Sequence, residues 1–101
     1  MANTFKNYTG TATTGGATIY TVPASTTAVL IGMNLANKVT NQITADAQVS
    51  STYIVKDVPI PAGSALGVID GKIIAETGET ITVTASENSA VDVIISVLEI
   101  T

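Results

Sequence analysis

The sequence predicts an all-β fold, an antiparallel β-sandwich or small barrel of about eight strands with an extended N-terminal arm. Three observations carry this expectation. Residues 90–100 (Ala-Val-Asp-Val-Ile-Ile-Ser-Val-Leu-Glu-Ile) read as one long strand. Val91, Val93, Ile95 and Val97 fall on one side of its pleat, giving a wholly apolar face, while Asp92, Ile94, Ser96, Leu98 and Ile100 fall on the other. Such a strand belongs at the centre of a sheet or against another subunit, because left bare it is an aggregation edge. Thr, Val, Ile and Ala are abundant and helix-favouring Lys, Glu, Gln and Arg are scarce. Finally, no window keeps apolar residues at i, i+3, i+4 and i+7 through three turns.

Taken in order, residues 1–16 are polar and rich in Gly and Thr, punctuated by Phe5 and Tyr8. They read either as a frayed terminus with one short strand or as an arm that orders on a neighbouring subunit through Phe5 and Tyr8. Residues 17–101 form the sandwich domain. Residues 17–22 are a strand stopped by Pro23. Residues 27–36 form the next, with Val29, Ile31, Met33 and Leu35 expected on one face, Leu30, Gly32, Asn34 and Ala36 on the other, and Gly32 marking a bulge or a close backbone approach. A turn at 37–41 leads to residues 42–49, where Ile43, Ala45, Ala47 and Val49 alternate with Gln42, Thr44, Asp46 and Gln48, the pattern of a half-buried antiparallel strand. Residues 52–58 run into Pro59 and Pro61, which bar a central ladder position and place an edge or a crossover there. Asp70-Gly71 between short apolar segments predicts a type I′ hairpin. A second turn at 76–79 precedes residues 80–86, whose Ile81, Val83 and Ala85 alternate with threonines.

Composition narrows the function. The chain has 101 residues, enough for one domain, and no cysteine, so a disulfide framework and thiol or iron–sulfur chemistry are excluded. Residues 1–4 lack the basic and apolar regions of a signal peptide, and the longest apolar runs fall short of a membrane span. Synthesis in a cytoplasm without a cleaved leader, and no membrane partner, are the expectations. Net charge is −4, with only the scattered Lys6, Lys38, Lys56 and Lys72 positive, a poor basis for direct nucleic-acid binding.

Catalytic chemistry has little to work with. Histidine is absent, and a Ser-Lys pair such as Ser64 with Lys72 is the remaining nucleophile–base option, with no spacing that favours it. Asp57, Asp70, Glu76 and Glu79 are acidic turn residues without a calcium-loop pattern. Asp92 is expected to face solvent or pair with a lysine. Tyr8, Tyr20 and Tyr53 could offer rings to a sugar, but equally suit half-buried strand positions with the hydroxyl at the rim. No catalytic, metal or cofactor residue is assigned, and Phe5, Tyr8 and Tyr53 are the candidate interaction residues.

The segment Ile19-Tyr20-Thr21-Val22-Pro23-Ala24, followed by residues 27–37 (Thr-Ala-Val-Leu-Ile-Gly-Met-Asn-Leu-Ala-Asn), resembles a recurrent pattern in small virion structural proteins of tailed bacteriophages, including those of marine and cyanobacterial hosts. Residues 59–66, 76–85 and 91–100 continue the likeness, which covers most of the chain. The resemblance implies a β-sandwich that works by assembly and has no catalytic residues to carry over. Size, the lack of catalytic chemistry, the apolar excess and the polar N-terminal segment make the expected role that of a capsid decoration (cement) protein, a homotrimer docked on the major capsid protein or other virion proteins at three-fold or quasi-three-fold positions, assembled in the host cytoplasm and residing in the virion. A neck, tail or fibre-attachment component is the alternative, and a surface glycan-binding module a more distant one.

Overall fold

The structure, a computed structural model, describes residues 3–69 and 72–101. Nine strands follow in order: β1 (Asn3–Thr11), β2 (Ala17–Thr21), β3 (Thr27–Asn37), β4 (Ile43–Val49), β5 (Thr52–Ile60), β6 (Ala65–Gly67), β7 (Ile73–Ala75), β8 (Thr80–Ala85) and β9 (Val91–Ile100). There is no helix among the described residues. Sheet A has the order β1-β9-β3-β6, with β7 also paired to β3, and sheet B has the order β2-β8-β4-β5. All strand pairs are antiparallel, and the two sheets pack as a β-sandwich rather than a closed barrel.

The core lies between the sheets. Leu30, Met33, Leu35, Val91, Val93, Ile95 and Val97 enter it from sheet A, and Ile43, Ala45, Ala47, Ile81, Val83 and Ala85 from sheet B. β9 holds the central place its apolarity demands, between β1 and β3. Its inward face is not wholly apolar, however, because the odd-numbered series continues to Glu99, which is also buried.

Phase in β3 differs from the simple alternation expected of it. Leu30 opposes Val97 and Gly32 opposes Ser96, so Ile31 is an extra residue on the β3 side of the ladder. The bulge at Gly32 is therefore present, and it resets the pleat: Ala28 and Leu30 point inward before it, Met33 and Leu35 after it. Val29 and Ile31 are turned outward as a result, and Leu30 becomes a core residue.

Two further expectations are corrected. The residues flanking Asp70-Gly71 do not pair with one another, as a hairpin requires. Instead β6 pairs with Asn34–Ala36 and β7 with Ala28–Leu30, making an interrupted edge strand beside β3, with the Val68 N–H donating to the Met33 carbonyl between them. Asp70 and Gly71 themselves lie outside the described residues.

The second correction concerns the N-terminal segment, whose residues 3–11 are an integral strand of sheet A, each opposed to a residue of β9, and not a separate arm. Ala12 is fully buried, and its N–H donates to the Val91 carbonyl. Gly10 lets β1 approach β2, since an added Cβ would lie 2.7 Å from Ile19 Cδ1.

At the far end of the sandwich, buried Asn37 fastens β3 to the end of β5. Its Nδ2 donates to the carbonyls of Ile60 and Asn41, both at 2.9 Å, and its Oδ1 accepts the Val39 N–H. Pro59 sits in β5, the edge strand of sheet B, as its missing donor requires.

Candidate docking face and the Glu99 clasp

Four of the five exposed large apolar side chains in the described chain stand on one surface, the outer face of sheet A. Phe5 is 73% exposed, Ile74 60%, and Ile31 and Ile94 41% each. Strand register explains the grouping. Phe5 opposes Leu98, Leu98 opposes Val29, and Val29 opposes Ile74, so one unbroken apolar row crosses β1, β9, β3 and β7. A parallel row runs Thr9, Ile94, Asn34, and a third Thr11, Asp92, Ala36. Between the first two lies a shallow depression of about 280 Å³ lined by Phe5, Asn7, Ile31 and Ser96 among others. A second, of about 400 Å³, is lined by Thr9, Thr11, Asn34, Asp92 and Ile94 among others.

Charge is nearly absent from this face. Asp92 reaches Lys38 Nζ at 2.9 Å and accepts the Thr11 hydroxyl at 3.1 Å, as expected of a lysine-paired carboxylate. The lysine holds the Asp92 carboxyl below its usual range.

Behind the face, at the β1 rim, lies a cluster whose members are brought together only by the fold. Glu99 Oε2 accepts the hydroxyl of Tyr20 at 2.6 Å and that of Tyr8 at 2.8 Å, while Oε1 lies 3.4 Å from Lys6 Nζ. The two tyrosine rings stack with centroids 4.4 Å apart. Tyr20 belongs to sheet B and the other three residues to sheet A, so one carboxylate ties the sheets together. The hydrogen bond from Tyr20 holds the Glu99 carboxyl below its ordinary value against the opposing effect of burial. Burial first, and the bond to Glu99 second, raise both tyrosines. No buried polar side-chain atom of the cluster lacks a partner, and its chemistry is that of a fastening.

The three candidate interaction residues are therefore not brought together. Phe5 stands on the apolar face, Tyr8 is half-buried in the clasp, and Tyr53 lies across the molecule on β5, with Lys56 Nζ 4.7 Å from its ring centroid. Ser64 closes the turn after β5 through its N–H to the Pro61 carbonyl, and Lys72 is an exposed residue before β7. Among the described residues no group of three acidic side chains is placed to hold a metal ion. Asp57 serves the backbone: it adopts φ 52° where β5 bulges against β4, and its N–H donates to the Asp46 carboxylate. Asp70 lies outside the described residues.

Compared with known proteins, the chain matches no family model, no curated protein and no solved structure. The functional reading is accordingly built on the surfaces themselves.

Proposed function

We propose that the protein is a structural subunit of a bacteriophage virion, acting as a capsid decoration (cement) protein that docks on the major capsid protein or its neighbours through the outer face of sheet A. The observation that carries this reading is the apolar row Phe5, Leu98, Val29, Ile74 on a surface whose charged groups are paired. Exposed apolar side chains grouped on one face of a small domain fit a protein surface better than solvent. Cementing asks for that kind of surface and for nothing catalytic. Each copy buries apolar area across a joint between capsid subunits, and many copies acting together make modest individual contacts sufficient. The sequence resemblance to virion proteins supports the same reading. A glycan-binding role is less well supported, because Lys56 lies over the ring of Tyr53, the aromatic best exposed on sheet B.

Copy number tests the proposal. Quantitative protein analysis of purified virions is expected to find hundreds of chains per particle, whereas about a dozen, the count of a closed ring, would favour a neck or tail component. Absence from the particle would overturn the reading.

A further inference from the structure

A β-sandwich has edges, and three of the four here are blunted. β5 carries Pro59, Lys56 and a bulge in which Asp57 takes a left-handed conformation. β2 is five residues long with a register break between Thr18 and Tyr20 and is followed by Pro23. β6 and β7 are two three-residue pieces with an interruption between them. These are the devices by which sheets discourage a further strand.

β1 has no proline, no bulge and no break in its pairing. Its nine residues run in unbroken register with β9, and among the described residues no strand pairs with its other side. Its one charged side chain, Lys6, is engaged by Glu99. The Ala12 N–H points to β9, where it meets the Val91 carbonyl. Main-chain groups alternate in direction along an antiparallel strand, so Tyr8 and Gly10 also address β9, whereas Asn7, Thr9 and Thr11 present their N–H and C=O groups outward.

We propose that this open edge pairs with the same edge of a second copy of the chain, β1 against β1, joining two sheets A into one continuous sheet across a two-fold axis near Asn7. The inference rests on and deepens the assembly reading by naming the contact between copies, and it makes that contact two-fold where a trimer is the expectation from sequence. A second copy is the occupant that fits best, because an antiparallel strand pair is self-complementary: one contact satisfies both open edges and leaves none over. With the axis at Asn7, Asn7 opposes its own copy, and Phe5 of each chain opposes Thr9 of the other. Those are residues whose main-chain groups point outward, so each such pair exchanges two hydrogen bonds. The same pairing sets the exposed Phe5 against a β-branched neighbour, a favourable cross-strand combination. No acidic side chain of β1 meets its counterpart across the joint, despite the net charge of −4.

Sedimentation equilibrium of the purified full chain tests this. The wild-type is expected at the mass of two chains at micromolar concentration. Asn7→Pro and, separately, Thr9→Pro remove an outward N–H while leaving the β9 ladder its donors, and each is expected to give the mass of one chain with an unchanged circular-dichroism spectrum. Thr82→Lys, on sheet B, is expected to stay dimeric. A wild-type that is monomeric up to high micromolar concentration overturns the pairing, as does a dimer that survives both folded proline variants. If either proline variant fails to fold, the other variant and the wild-type mass still decide. Particle occupancy is read separately: a dimer absent from virions would overturn the virion reading and leave the pairing intact, and a monomer abundant on virions would do the reverse.

Discussion

The two outer faces of the sandwich are built from the same pleat and meet water differently. Across sheet A a row of partners reads Phe5, Leu98, Val29, Ile74; across sheet B the corresponding row reads Thr18, Thr82, Gln48, Tyr53. Threonine keeps the β-branched shape that suits a strand and adds a hydroxyl that water can satisfy, so sheet B presents a strand-forming surface with little drive to be covered. Asp46, Lys56 and Asp57 add charge there, while on sheet A the carboxylate of Asp92 is paired with Lys38 and that of Glu99 is turned inward. The difference teaches that β propensity and surface apolarity are separable, and that only sheet A combines them.

Adjacent isoleucines on β9 give the sharpest way to break this comparison. Ile95 is fully buried and Ile94 is 41% exposed on the outer face. Ile95→Asp should unfold the domain, since an unpaired buried carboxylate costs several kcal/mol, a large part of a stability of about 5–15 kcal/mol. Ile94→Asp should cost only about 1 kcal/mol, the span of β propensity at a solvent-facing strand position. Urea melts of both variants check this pair.

The clasp comes next in size. Tyr20→Phe removes a buried hydrogen bond to a charged acceptor, and a loss of about 1.5–3 kcal/mol is expected in the same melts. Tyr8→Phe, at the half-exposed rim, should lose about 1 kcal/mol.

A pH series sharpens the role assigned to Glu99. The folded state holds its carboxyl below the ordinary 4.5, so the folded chain takes up the proton less readily than the unfolded one. Its contribution is complete above pH 4.5 and is lost as pH falls through the lower, folded value. Asp92, lowered from 3.8, acts in the same direction. Tyr8 and Tyr20 are raised above the usual 10.0, so their contribution is complete below pH 10.0 and declines as pH rises beyond it. Thermal melts should therefore show a plateau between these limits, and Glu99→Gln should flatten the acid side. An acid limb of unchanged steepness in that variant would remove Glu99 from the account.

A last, small effect concerns the blunted edge of sheet B. Asp57→Gly relieves a left-handed conformation at the cost of a more flexible unfolded chain, and a net change within about 1 kcal/mol is expected by urea melt.

Much of this architecture is legible from residue order. The alternations in residues 42–49 and 80–86, the stop at Pro23 and the edge position of Pro59 all follow from local rules, and the structure has them. What local rules miss are effects of tertiary pairing. The bulge beside Gly32 is signalled by the glycine, but the resulting change of phase, which moves Ile31 out and Leu30 in, depends on how β9 pairs with β3. Asp70-Gly71 carries a hairpin signature, yet its flanks both find β3. The first strand looks like an arm because its side chains are polar; its place in the sheet comes from its backbone, and removing residues 1–16 should therefore destabilise the domain by baring β9. Glu99 continues the series 91, 93, 95, 97 and could have been placed inward by parity alone, although its partner Tyr20 lies 79 residues away along the chain.

The central claim is that the outer face of sheet A is the docking surface, and occupancy on the particle tests it most directly. Virions assembled with Ile74→Lys/Ile94→Lys protein, beside virions assembled with Thr82→Lys protein, should be compared by quantitative protein analysis after confirming equal melting behaviour in solution. The account predicts that the sheet A variant is largely lost from the particle while the sheet B variant is retained at the wild-type level. Retention of the first with loss of the second would contradict it.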